Sequence, residues 1–147
     1  MTVKDYLGQV KVIDVKIDQK LEQLRELRAK AVGSGQAMSP DKVQTSLAGD
    51  KTARIVEECV DLEAEIYELL VKYIHIKGHI IDQIHMLNDG RYVELLYMKY
   101  IRYMRLEEIS CTMKKRNGEP YSFDHIAALH GEALKEFSKI VKILEIP

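Results

Sequence analysis

The chain has 147 residues, 46% hydrophobic and 31% charged, with a formal net charge of −1. Such a length suits one domain or two small ones, and the composition is that of a folded protein with much charged helix surface. The near-zero charge argues against a general nucleic-acid binder. The absence of any run of about 18 apolar residues argues against a membrane span. The opening Met1-Thr2-Val3-Lys4-Asp5-Tyr6 has no basic segment followed by an apolar one, so no secretory signal is expected. A cytoplasmic protein is expected, with Cys59 and Cys111 as free thiols in a reducing compartment.

Residues 3–32 read as one long helix. Val3, Val10, Ile17, Leu24 and Ala31 recur every seven residues. Tyr6, Ile13 and Leu27 fall three later, and Leu7 and Leu21 four later, which makes one apolar stripe. Thr2 is placed to cap the start. Gly33-Ser34-Gly35 is expected to stop the helix, because Gly enters the left-handed conformation at little cost. Residues 33–51 then read as a loop, in which Ser39-Pro40-Asp41 could start a helical turn.

Residues 52–87 form the strongest helical pattern. Ile55, Leu62, Leu69 and Ile76 repeat by sevens, as do Cys59, Ile66, Tyr73, Ile80 and Leu87, and together they trace a coiled-coil seam. At 1.5 Å per residue the two helices are about 45 and about 54 Å long. Their stripes must be covered. An antiparallel hairpin within one chain does so, and a homodimer burying the same stripes is the competing solution.

Past Asn88-Asp89-Gly90, residues 91–104 read as a helix with Tyr92, Leu95, Leu96 and Tyr100 on one side. Leu106–Lys115 reads as a short helix with Leu106, Ile109 and Met113 inward, and Arg116–Pro120 as a turn. Ser122 then caps a last helix to about Leu144, burying Ile126, Leu129, Ala133, Phe137, Ile140 and Leu144. Within it, Ile126 and Ala133 are expected to face Ile109 and Met113. No segment sustains strand alternation, so the fold is expected to be all-α. Two domains are expected: a helical hairpin over 1–89 with its loop at 33–51, and a helical module over 90–147.

Charge is unevenly spread. Residues 1–32 and 91–147 each sum to +2, and residues 33–90 to −5. The stretch 99–116 holds Lys99, Arg102, Arg105, Lys114, Lys115 and Arg116 against only Glu107 and Glu108. Such a local patch can steer toward phosphates although the whole chain is near neutral.

The C-terminal pattern runs Leu96-x3-Tyr100-Ile101, then Glu108-Ile109 and Met113, then Tyr121-Ser122-x3-Ile126-x2-Leu129-His130-Gly131-x-Ala133-Leu134. It resembles region four of bacterial sigma factors. More closely, it is similar to small phage and prophage proteins of Gram-positive bacteria that carry such a module behind a long helical hairpin, some described as late transcriptional regulators. The resemblance covers the last third in motif and the whole chain in helix layout. It implies a helix-turn-helix, double-stranded DNA as partner, a possible contact with RNA polymerase, and no enzyme activity. In such a module one helix braces a second whose first residues reach base edges. With the basic stretch and the exposed start of the last helix added, the residues expected at DNA are Arg102, Arg105, Lys114, Lys115, Arg116, Tyr121, Ser122, Phe123, His125 and Ala128.

Two local features depart from sigma-type modules. Seven residues, Lys114 to Pro120, lengthen the usual tight turn. Asp124 stands where basic or amide side chains are common; it repels phosphate, although a carboxylate can accept from cytosine.

Other chemistry finds little support. His75 and His79 share a helix face with Asp82, yet no Cys- or Glu-containing zinc motif accompanies them. No phosphate-binding Gly-rich loop and no nucleophile elbow occurs. No metal, cofactor or catalytic residue is therefore expected. The competing function is a non-enzymatic helical adaptor, or a phage structural or assembly protein, acting through the coiled hairpin. Its acidic face, Glu57 to Glu68, could meet a basic partner.

Overall fold

The computed structural model describes residues 1–36 and 45–145. The protein is all-α. Among the described residues five α-helices and one π-turn follow in order: α1 Val3–Gln36, α2 Thr45–Ile84, α3 Gly90–Leu96, the π-turn Tyr97–Ile101, α4 Leu106–Thr112 and α5 Phe123–Glu145. Among the described residues no helix is long and apolar enough to cross a membrane.

The start of α1 is closed by a reciprocal cap. The Asp5 amide donates to Thr2 Oγ1 at 3.1 Å, and the Thr2 amide donates to Asp5 Oδ2 at 3.3 Å. The Thr2 hydroxyl and then the Thr2 amide, both beside the Asp5 carboxyl, hold it below its ordinary range. The other end departs from expectation: α1 continues through Gly33-Ser34-Gly35 to Gln36. A helical glycine costs about 1 kcal/mol relative to Ala but meets no steric objection, so it weakens a helix without ending it. Likewise α2 begins at Thr45 and takes in residues expected as loop. The possible turn at Ser39-Pro40-Asp41 lies outside the described residues.

At its C-terminus α2 tightens. The Met86 and Leu87 amides donate to the carbonyls of Gln83 and Ile84, each at 3.1 Å, in the three-residue spacing that satisfies end carbonyls. Asp89 then caps α3: its Oδ1 accepts from the Arg91 amide at 2.9 Å, and its Oδ2 from the Arg91 guanidinium at 2.8 Å.

The chain divides into two compact units. One comprises Met1–Val12 with Tyr73–Pro147, the other Ile13–Lys72. These limits fall inside both long helices, not between residues 89 and 90. In the second unit, Leu24 of α1 packs with Ile55, Cys59, Leu62 and Ile66 of α2, with Leu27 and Ala31 at the edge. Salt bridges flank this core, Lys20 to Glu65 at 2.7 Å and Arg28 to Glu63. Cys59 is buried and Cys111 exposed, and both are free thiols.

The first unit holds two cores. One gathers Leu7 and Val10 of α1, Ile80 and Ile84 of α2, Leu96, Ile101, and Ala133 and Phe137 of α5. The other gathers Leu95, Met98, Ile109, Met113, Tyr121, Ile126 and Leu129. Ile126 therefore meets Ile109 and Met113 as expected. Ala133 does not; it lies about two turns further along α5 and belongs to the core built on α1 and α2. Ile140 is only half-buried.

Candidate nucleic-acid interface

The helix expected over 91–104 is shorter and changes pitch. After α3 the chain widens into the π-turn Tyr97–Ile101, in which the Arg102 amide donates to the Tyr97 carbonyl at 3.1 Å, five residues back. Tyr103 then adopts φ +60°, a left-handed conformation that costs a non-glycine residue about 1 kcal/mol or more. Its ring packs at the edge of the α1–α2–α5 core, and Lys11 Nζ lies 6.0 Å from the ring centroid. This reversal aims α4. Arg105 is the N-cap residue of α4, and its Nε donates to Glu108 Oε1 at 2.8 Å, holding that carboxyl below its ordinary range.

Helix α4 ends at Thr112, three residues before the expected end. Met113 is extended, with ψ 135°, and its side chain is buried. The lengthened turn that follows is a built element. Lys114 pairs with Pro120 as an isolated antiparallel bridge. The Lys115 amide donates to the Glu119 carbonyl at 2.8 Å, and the Gly118 amide to the Lys115 carbonyl at 2.9 Å. Gly118 takes φ +85°, which closes a three-residue loop, Arg116-Asn117-Gly118, in the manner of a type I turn with a glycine bulge. Asn117 Oδ1 steadies the tip by accepting from the Glu119 amide at 3.0 Å. Sequence periodicity cannot see this miniature hairpin, because it is too short to alternate. Asn117-Gly118 is the turn signal that marks it.

The hairpin delivers the chain to α5. Ser122 Oγ accepts from the His125 amide at 3.2 Å, capping the helix as expected. Tyr121 is the exception among the ten residues expected at DNA, since its side chain is buried in the core with Ile126 and Leu129. Its ring meets that of His125 edge-on at 4.8 Å, and Lys115 Nζ lies 5.8 Å from its centroid. Tyr121 thus lies between a hairpin lysine and the exposed His125. Ser122, Phe123 and His125 are exposed on the first turns of α5, and Asp124 stands among them. Ala128 is exposed one turn later, beside the half-buried Ala127. Lys114 and Arg116 are exposed and Lys115 half-buried on the hairpin. Arg102 and Arg105 are exposed on the other connection, between the π-turn and α4.

The motif residue His130 has a role that its sequence position does not reveal. It is buried, and its Nε2 lies 2.8 Å from the Tyr100 hydroxyl of the π-turn, the rings stacked at 5.8 Å. Burial, aided by Lys4 and Lys99, pushes its pKa down to about 4, and burial pushes Tyr100 up to about 12. Both groups are neutral at pH 7, and the pair locks α5 to the π-turn. The folded pKa of His130 lies below the unfolded one, so its contribution is intact above about pH 6.5 and declines as pH falls toward 4. Between pH 7 and 4.5 the wild type is expected to lose roughly 2 kcal/mol more stability than His130→Gln. Paired denaturant melts at the two pH values measure this, and parallel curves for both proteins would remove His130 as the cause.

Among the described residues no group of three or more His, Cys, Asp or Glu side chains could hold a metal ion. His75 and His79 are exposed on α2. Comparison with known families, with curated proteins and with solved structures finds no match.

Proposed function

We propose that the chain is a DNA-binding transcriptional regulator of phage or prophage type, with a sigma-region-four-like helix-turn-helix behind an antiparallel helical hairpin, acting in the cytoplasm without enzyme activity. The observation that carries this reading is the shared core of Ile109, Met113, Tyr121, Ile126 and Leu129. It braces α4 against α5 and leaves the first turns of α5 exposed beside the Lys114–Arg116 hairpin, the disposition a reading helix needs. The hairpin half of the reading is supported by the packing of Leu24 against α2 and by the Lys20–Glu65 pair. In this reading the basic hairpin holds phosphates, Ser122 and His125 lie nearest the bases, and RNA polymerase is a candidate second partner.

A gel-shift with DNA upstream of the chain's own operon, at two salt concentrations and with and without polymerase, tests the proposal. Binding is expected to weaken steeply as salt rises. Protein that leaves this DNA unshifted at low salt in both settings would favour the adaptor reading.

A further inference from the structure

Helix α2 has a second apolar face that the fold leaves uncovered. Val56 is 52% exposed, Val60 59%, Tyr67 69%, Leu70 40% and Val71 50%. None of them belongs to the α1–α2 core, which uses Ile55, Cys59, Leu62 and Ile66. At 3.6 residues per turn, Val56, Val60, Tyr67 and Val71 fall within about 60° of one another, in a stripe about 22 Å long. Single exposed apolar residues are ordinary, but an aligned row of this kind on one helix marks a surface that is covered in use.

The charges beside the row say what covers it. From Ile55 to Val71 the helix carries Glu57, Glu58, Asp61, Glu63, Glu65 and Glu68 and no Lys or Arg. Glu63 and Glu65 are bound by Arg28 and Lys20 of α1. Glu57, Asp61 and Glu68 are exposed along one edge of the stripe. A symmetric antiparallel pair of such faces sets each edge against itself, which would bring this carboxylate row against its own copy. The spacing by fours and sevens suits a partner helix.

We infer that this face of α2 docks an amphipathic helix of another protein, one with an apolar stripe flanked by Lys or Arg. The site lies wholly within residues 56–71 and stands whether or not the helix-turn-helix binds DNA. Tyr67 and Val60 are its anchors, and Glu57, Asp61 and Glu68 set the sign of the partner's charge.

The test uses the full chain and three labelled synthetic peptides, each about six helical turns long. One has Leu at alternating spacings of four and three with Lys beside them, the second has the same composition scrambled, and the third has Glu in place of Lys. Fluorescence anisotropy is expected to show the first bound at least tenfold more tightly than either control. Val60→Ser with Tyr67→Ser should weaken that binding tenfold or more while leaving the thermal melt unchanged, since both side chains are exposed. Glu57→Gln with Asp61→Asn and Glu68→Gln should weaken it and flatten its salt dependence. Equal binding of the scrambled peptide, indifference to the Val60/Tyr67 change, or no binding at all would overturn the inference. So would sedimentation equilibrium showing a wild-type dimer that Tyr67→Ser dissociates, because a second copy would then occupy the face.

Discussion

Ile126→Asp is expected to destabilise the protein by about 4–5 kcal/mol, at the upper end of what one substitution does. Ile126 has no exposed surface and is enclosed by Ile109, Met113, Tyr121 and Leu129. A carboxyl group there would have to remain protonated at neutral pH or break the apolar core that surrounds it. Ile126→Val, which removes one methylene, should cost only about 1 kcal/mol. Thermal and denaturant melts followed by circular dichroism distinguish the two. A melting temperature that Asp leaves in place would mean that α5 packs in another register, and the proposed reading helix would lose its brace.

If the proposed DNA-binding reading holds, simultaneous replacement of Lys114, Lys115 and Arg116 by Ala is expected to reduce affinity for DNA by about two to three orders of magnitude near 100 mM salt. Each phosphate that no longer meets a cation accounts for a factor on the order of ten. The weakening should be similar for every DNA sequence, because groups that hold phosphates position a protein without reading bases. The slope of log affinity against log salt should fall by about 0.9 for each such phosphate, or about 2.7 for three. The hairpin backbone is held by Lys115–Glu119 and Gly118–Lys115 bonds that do not use the side chains, so the fold should survive. His125→Ala should behave differently and shift sequence preference more than affinity. The geometry also allows a shared effect. Lys115 lies over the Tyr121 ring, which meets His125, so Lys115→Ala alone could release the His125 ring. A triple variant with an unchanged salt slope would remove the hairpin from the interface.

Both experiments rest on parts of the chain that differ in how legible they are in sequence. The seams of α1 and α2 are readable because a sevenfold apolar repeat is a direct consequence of helix geometry, and Leu24, Ile55, Leu62 and Ile66 are buried together accordingly. Thr2 and Ser122 are readable as caps because a hydroxyl beside free amides has few better uses. Ile126 and Leu129 are readable from their helical spacing, with Ile109 and Met113 as the apolar face opposite. The π-turn is not, since a single widened turn of five residues carries no distinct pattern. Nor is the burial of His130, because a polar residue reads as surface until a partner such as Tyr100 is brought to it. Tyr121 is assigned to the DNA side by its place in the motif, whereas its neighbours in space make it a core residue.

The sequence by itself determined that the protein is helical, where its apolar stripes run, which residues cap its first and last helices, and where its basic residues cluster. These are local properties, written by period and side-chain chemistry over a few turns. Only the tertiary structure decided which stripe each helix would cover. It drew residues 1–12 and 73–84 into the same compact unit as the C-terminal helices, bent the chain through Tyr103, and left Val60 and Tyr67 of α2 without a cover. Those outcomes depend on competition among apolar faces distant in sequence. A stripe states that something must cover it, and only the packed chain shows which stripes find a partner within it.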